Sequence, residues 1–251
     1  MHMKVSVVTA VYNRSKTIGR TIESFSAQEW AEKEQIVIDG VSTDDTLEIA
    51  RGINSHETKI FSQPDTGLYD AINKGIKRAT GDIIGLLHSD DYFASNQVLS
   101  TIAEAFEDPN LDIVYADASF FDEGNPKRTI RRFDSSMFEP DTIRNGWMPA
   151  HTTMYMRREV FDRYGLYRTN YKIAADFEFI ARVFSSGHMN SRYVPQVWVM
   201  MQSGGISTAG LKSKFILNQE VLRACRENGI KTSYARILSK YPTKVLEYLR
   251  R

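Results

Sequence analysis

Two adjacent carboxylates, Asp90 and Asp91, stand just beyond the apolar run at 82–87. Neighbouring carboxylates repel each other unless a cation or hydrogen-bond donors compensate them. Magnesium or manganese, held by one or two carboxylates and completed by substrate phosphates, would do so. A helix N-terminus after Tyr92 would also accommodate the pair through the helix dipole. A second acidic turn, Asp39-Gly40-Val41-Ser42-Thr43-Asp44, follows another short apolar run. Asp39 could accept from a ribose hydroxyl or a base edge, and Gly40 permits close approach or positive φ. Ser42, Thr43 and Asp44 are also suited to capping a helix.

The elements that must position these groups follow from hydrophobic periodicity. The continuous β-branched run 5–11 predicts a strand buried on both faces, and 35–39, 59–62 and 82–87 predict three more. Between them lie helical patterns: one opened by Ser15 with Ile18, Ile22 and Phe25 on a face, one capped by Ser42 or Thr43 with Leu47, Ala50 and Ile53, and one over 68–79. Alternating strands and helices imply an α/β fold with a mostly parallel central sheet flanked by helices. In such sheets ligands bind beyond the carboxyl ends of the strands. The polar groups there are Tyr12-Asn13-Arg14, Asp39-Gly40, Asp65-Thr66-Gly67 and Ser89-Asp90-Asp91. Downstream, 113–120 and 129–133 read as strands of an antiparallel pair, 152–156 and 193–201 as further strands, and 174–184 as a helix. Two helices follow.

Composition narrows the function classes. Thirty-two Lys and Arg balance 31 Asp and Glu across 251 residues, so charge gives no reason to expect a nucleic-acid partner. A single cysteine, Cys225, excludes an internal disulfide framework and a cysteine zinc site. No run approaches the roughly 20 apolar residues of a membrane-spanning helix, and no signal peptide is visible. The expectation is a cytoplasmic protein, with peripheral contact at the inner face of the plasma membrane as an option. That option comes from residues 212–251, where ten basic residues face three acidic ones, about +7. With Phe215, Ile216, Val221, Leu222, Ile237, Leu238, Val245, Leu246 and Leu249 they could form a membrane-surface patch. Packing on the core, or on the second subunit of a homodimer, would use the same residues.

Seven pieces in order give the sequence a resemblance. They are Val-Val-Thr-Ala-Val-Tyr-Asn at 7–13, the acidic turn at 39–44, Asp-Thr-Gly-Leu-Tyr-Asp-Ala-Ile-Asn-Lys-Gly-Ile at 65–76, His-Ser-Asp-Asp at 88–91, Pro-Ala-His-Thr at 149–152, Tyr-Lys-Ile-Ala-Ala-Asp at 171–176 and Gly-Gly-Ile-Ser-Thr at 204–208. Together they resemble glycosyltransferase family 2, the inverting family with the GT-A fold, and within it the bacterial enzymes of O-antigen and exopolysaccharide assembly. The resemblance implies a GT-A domain over 1–210, with a nucleotide-sugar-binding half (1–91) and an acceptor half (92–210), and basic C-terminal helices over 211–251.

The resemblance also implies roles. Thr9 and Tyr12 would hold the base, Asp39 would contact the nucleoside, Asp90 would touch ribose or metal, and Asp91 would bind a divalent Mn2+ or Mg2+ bridging the donor diphosphate. Asp176, preceded by Ala175 where many relatives carry Glu, matches the catalytic base; a helix-start carboxylate is the other reading of its position. The base would deprotonate an acceptor hydroxyl as it attacks the anomeric carbon. The acceptor of such enzymes is usually a lipid-linked glycan. Two positions depart from the family pattern. His88 stands where the metal motif usually begins with an acid, and Gly40 replaces a second carboxylate that contacts the base in uridine-using relatives, which leaves the base open.

Asp65, Asp70 and Asn73 could order the loop over the donor, with Lys74 reaching a phosphate; a capped helix with a solvated lysine is the alternative. His151 could bond the acceptor or diphosphate, or be a satisfied structural group. Trp147 and Met148 could shape the acceptor pocket or pack in the core. Gly204 and Gly205 suit a closing loop or a plain turn. Arg157 and Arg158 read as surface charge at a helix start. The rival functions are a sugar nucleotidyltransferase, which would want a basic glycine-rich loop after the first strand, and a non-catalytic nucleotide-sugar-binding relative, which would have lost Asp176 or the acidic pair.

Overall fold

A computed structural model describes residues 3–53, 55–122, 125–203 and 210–239 of the chain. The first half alternates as expected: β1 (Val5–Val11), α1 (Ile18–Ser26), β2 (Lys33–Asp39), α2 (Thr46–Gly52), β3 (Thr58–Ser62), α3 (Leu68–Arg78) and β4 (Ile83–Leu86). Their strands run parallel in the order β3-β2-β1-β4. Every residue of β1 and β2 is buried, because helices cover both faces. Side chains alternate across the sheet: Val5 and Val7 join the core around Phe25, Leu99 and Phe106, while Val8 and Ala10 join the core around Ile72, Ile76 and Phe177. Gly75 lets α3 lie directly on β1, since a Cβ there would collide with Val8.

The second half extends the same sheet with mixed polarity. It contains β5 (Tyr92–Phe93), α4 (Val98–Ala105), β6 (Ile113–Asp122), β7 (Asn125–Phe133), β8 (Tyr155–Arg157), α5 (Arg158–Tyr164), α6 (Ala175–Phe184), β9 (Ser191–Gln202), α7 (Leu211–Glu227) and α8 (Tyr234–Leu238). β8 joins β4 antiparallel, β6 joins β8 antiparallel, and β9 runs parallel to β6. The expected β6–β7 antiparallel pair is present, with two register shifts near Phe121. The strand expected over 152–156 is displaced. His151–Thr153 form a 3-10 turn, and pairing starts at Tyr155, because the Thr153 hydroxyl donates to Ala116 O and Ala150 O instead of lying in a ladder.

Other expectations are corrected by hydrogen bonding. Ser42 and Thr43 do not cap α2. The Ser42 hydroxyl accepts from Asn13 N, the Thr43 amide donates to Asn13 Oδ1, and Asp44 accepts from Thr46 N at the helix start. Arg157 and Arg158 are not surface charge. Arg157 donates to the carbonyls of Leu111, Phe106 and Asp108 and lies over the Phe106 ring, while Arg158 donates to those of Ala79 and Gly81. Among the described residues no helix is long and apolar enough to cross a membrane. α7 packs on the core through Val221, Leu222, Ala224 and Cys225, and leaves Lys212, Lys214 and Phe215 exposed. Val245, Leu246 and Leu249 lie outside the described residues.

Candidate active site

A cavity of about 760 Å³ opens beyond the carboxyl ends of the parallel strands. It is large enough for a nucleotide-sized ligand. It is lined by Asn13 to Thr17 and Asp44, by His88 to Asp91, and by Leu68, Tyr69, His151, Tyr167, Lys172, Ile173 and Asp176. Asn13, Asp90, Asp91, His151 and Asp176 are the sequence-derived candidates that meet there.

The Asp90-Asp91 turn is held by α1. Arg20 donates to Asp90 O at 3.0 Å, its guanidinium lying over both the Tyr92 and Phe121 rings, and the Thr21 hydroxyl donates to Asp91 O at 2.7 Å. Asp91 is buried. Its Oδ1 accepts from Gln202 N at 3.1 Å, while its buried Oδ2 has no hydrogen-bond partner among the described residues. Burial, and then the neighbouring Asp90 charge, push its pKa well above the ordinary carboxylate range. An orphaned buried carboxylate oxygen beside a second carboxylate fits a divalent cation. Among the described residues no group of three or more His, Cys, Asp or Glu could hold an ion alone. The residues therefore suit Mg2+ or Mn2+ that takes the rest of its shell from phosphate oxygens and water.

Asp176, which also lines the cavity, stands in the first turn of α6. Its Oδ1 accepts from Phe177 N at 2.8 Å, and its Oδ2 lies 3.3 Å from His151 Nδ1. His151 Nε2 is 2.8 Å from His88 Nε2. If His151 donates from Nδ1 to Asp176, its Nε2 accepts from His88. Burial lowers both histidine pKa values to about 4, so both are neutral at pH 7. Burial raises that of Asp176 to about 6. A carboxylate ionised at neutral pH yet close to it in pKa is suited to general-base work. The Tyr69 hydroxyl sits 3.5 Å from Asp176 Oδ1 and donates to Ile173 O at 2.5 Å.

The remaining candidates lie elsewhere. Thr9 is fully buried on the α1 side of β1, and its hydroxyl accepts from Gln35 Nε2, so it faces away from the cavity. Tyr12 is 56% exposed at the rim. Asp39 is 1% exposed and is engaged by the Ser62 hydroxyl at 2.6 Å and by Ser42 N. Asp70 accepts from Thr66 N and pairs with Lys74, which also donates to Pro64 O; the two order the loop at 64–70, and Lys74 does not line the cavity. Asn73 is buried and clamps Tyr167 through both backbone groups, at 2.7 and 3.0 Å, which fixes α3 to the loop before α6. Trp147 lies 6.2 Å from Phe133, ring to ring, away from the cavity lining. Gly204 and Gly205 lie outside the described residues.

Sequence reasoning missed Arg20, Thr21 and Glu220. Glu220 on α7 is buried, and its carboxylate accepts from Lys172 N, Ile173 N and Ala174 N at 2.7, 2.9 and 2.9 Å. The available signal was an acid beside Val221 and Leu222 within a basic segment. For Thr21 it was a polar residue on the apolar face of α1.

Comparison with known proteins gives a consistent match. Residues 6–165 match the family described as Glycosyl transferase family 2. A "PGL/p-HBAD biosynthesis glycosyltransferase" of Mycobacterium bovis is 28% identical over 216 residues, covering 84% of this chain and 82% of that protein. The "Uncharacterized glycosyltransferase YibD" of Escherichia coli K12 is 26% identical, covering 99% of this chain and 71% of its own length. Among solved structures, S. aureus TarS 1-349 in complex with UDP-GlcNAc has a TM-score of 0.70 at 18% identity, covering 94% of this chain and 69% of that one. In its complex with UDP the chain covers 66% of TarS 1-349 at a TM-score of 0.66, with 88% of this chain matched at 19% identity. The mannosyltransferase PcManGT from Pyrobaculum calidifontis, in complex with GDP-Man and Mn2+, has a TM-score of 0.64 at 15% identity, covering 98% and 81%. At these identities the structural likeness shows the fold.

Proposed function

Since the chain belongs to glycosyl transferase family 2 and is a glycosyltransferase with the GT-A fold, we propose that it moves a sugar from a nucleoside-diphosphate donor to an acceptor hydroxyl in a single inverting displacement. The observation that carries this reading is that Asp91 and Asp176 line the same cavity. Asp91, with Asp90, would hold Mn2+ or Mg2+, and such an ion supplies positive charge for the diphosphate. The uncoordinated Asp91 Oδ2 and the metal in the PcManGT complex support this. The nucleoside end lies toward Tyr12 and Asn13, leaving the sugar between the acidic turn and Asp176.

Asp176 accepts the proton of the acceptor hydroxyl. The acceptor oxygen forms its bond to the anomeric carbon, and the bond from that carbon to the diphosphate oxygen breaks with its electron pair leaving on the nucleoside diphosphate. Attack opposite the leaving group inverts the anomeric centre. His151 holds one Asp176 oxygen and Phe177 N the other, so the carboxylate is oriented before substrate arrives. Tyr69 and Tyr167 offer ring surface on the acceptor side of the cavity.

The acceptor class is a lipid-linked glycan of bacterial surface polysaccharide assembly. Its support is the family resemblance together with exposed Phe215 next to Lys214 and one turn after Lys212 on α7, a pairing suited to an anionic membrane surface. The direct test of the mechanism is Asp176→Asn. It is expected to bind a nucleotide-sugar donor with wild-type affinity while transfer or donor hydrolysis falls at least a hundredfold. Wild-type turnover by that variant removes Asp176 as the base.

A further inference from the structure

A carboxylate turns easily about its Cβ–Cγ bond, so Asp176 keeps one orientation only if both of its oxygens are held. Phe177 N holds Oδ1, and Oδ2 faces His151 Nδ1 at 3.3 Å. The backbone of His151 is fixed, because it belongs to a turn in which the Thr153 amide donates to Ala150 O and the Thr153 hydroxyl bonds Ala116 O. Its imidazole can still rotate, and can carry its proton on either nitrogen. The far edge of that ring meets His88, with the two Nε2 atoms 2.8 Å apart. The rings are tilted by 58° with centroids 4.9 Å apart, so they meet through these nitrogens rather than by stacking. His88 is itself anchored just beyond β4, where its carbonyl accepts from Asp91 N at 3.0 Å.

Only one proton fits between two ring nitrogens at this distance. If it belonged to His151, that neutral ring would turn a bare Nδ1 lone pair on the Asp176 carboxylate, setting acceptor against acceptor. Burial keeps His151 neutral at pH 7. The proton therefore sits on His88 Nε2, and His151 accepts there and donates from Nδ1. The direction holds whatever the charge on His88, because a doubly protonated ring donates from the same nitrogen. We propose that His88 is a positioning residue whose Nε2–H fixes the ring orientation and tautomer of His151, which in turn holds Asp176 Oδ2. This role rests on Asp176 being the base. It gives one residue two tasks: the backbone of His88 closes the turn that carries Asp90 and Asp91, and its side chain steadies the base through His151.

The first experiment is 15N NMR of the whole chain labelled at its five histidines, with His88→Phe and His151→Phe assigning the two rings. His151 is expected as the Nδ1–H tautomer with a hydrogen-bonded, bare Nε2. In His88→Phe that Nε2 resonance should move to the position of a free imidazole nitrogen. In His88→Gln, whose amide N–H replaces the lost donor, it should return most of the way. His151 protonated at Nε2, or an Nε2 resonance that ignores His88→Phe, overturns the proposal. The second experiment is turnover, read as release of nucleoside diphosphate from UDP-GlcNAc or GDP-Man. His88→Phe should lower it tenfold or more while affinity for the sugar nucleotide stays within threefold, and His88→Gln should recover most of the loss. In the His151→Phe background, His88→Phe should cost less than twofold, because His88 acts through His151. Losses that multiply, or full turnover by folded His88→Phe, overturn the positioning role and leave Asp176 as the base. Full turnover by Asp176→Asn overturns both.

Discussion

Removing the Glu220 carboxylate should disable the catalytic segment from a distance. Three consecutive amides, Lys172 to Ala174, converge on that one side chain. The segment runs directly into Asp176, and Tyr69 holds its Ile173 carbonyl. In Glu220→Ala the exposed Lys172 amide can be hydrated at little cost, but Ala174 is fully buried and its amide is left without an acceptor. An unsatisfied buried donor costs about 1–3 kcal/mol, and the lost charge-assisted bond to Ile173 adds a comparable amount, so the total is about 2–6 kcal/mol. At about 2–4 °C per kcal/mol for a chain of this size, the melting temperature should fall by at least about 4 °C and at most about 24 °C. The residues lining the nucleotide end of the cavity make no use of Glu220, so donor affinity at 20 °C should stay within twofold. Turnover of the still-folded variant should fall tenfold or more, because a base displaced by a fraction of an ångström loses its alignment. Glu220→Gln should fall between, since its amide group meets one of the three N–H groups with a donor. Scanning fluorimetry, calorimetry and turnover at 20 °C measure the three quantities separately. Wild-type turnover by folded Glu220→Ala would refute a positioning role, even with the expected loss of stability.

Asp91→Asn should raise or preserve the melting temperature of the metal-free protein, because it removes a charge that burial and Asp90 disfavour. It should also abolish the Mn2+-dependent gain in donor affinity; a variant whose donor binding still responds to Mn2+ would contradict the metal role. The transfer rate should rise with pH through about 6 and level off above it, following ionisation of Asp176, whose pKa burial raises to that value. A pKa raised in the folded state contributes stability that is complete below about 4 and is lost as pH rises through about 6. Asp176→Asn should therefore melt higher than wild type at pH 8, and the difference should vanish by pH 4; a difference that does not change with pH would contradict the assigned burial.

Several features of this protein are fixed by local sequence alone. The run at 5–11 and the stripe of Ala71, Ile72, Gly75 and Ile76 can bury themselves only as a two-sided strand and a one-faced helix, so the parallel sheet follows. The rule that ligands gather at strand ends then predicts that Asp90, Asp91 and Asn13 share one end of the sheet, and all three line the cavity there. The order of short motifs identified the family before any contact was known.

Tertiary structure decided what those residues face and what they are bonded to. Thr9 turns into the core because side chains alternate along β1, and Asn73 is taken by the backbone of a residue 94 positions away. His88 and His151 are 63 positions apart, and only the pairing of β4 with β8 brings them together near Asp176. Asp39 is shut off from the cavity because Ser62, from the neighbouring strand, and Ser42 N enclose its carboxylate. Glu220 meets the segment before Asp176 because α7 folds back onto it. Periodicity is a property of neighbours in the chain, whereas hydrogen-bond partners and burial depend on which distant segments share a cavity wall, and that is set only when the sheet closes.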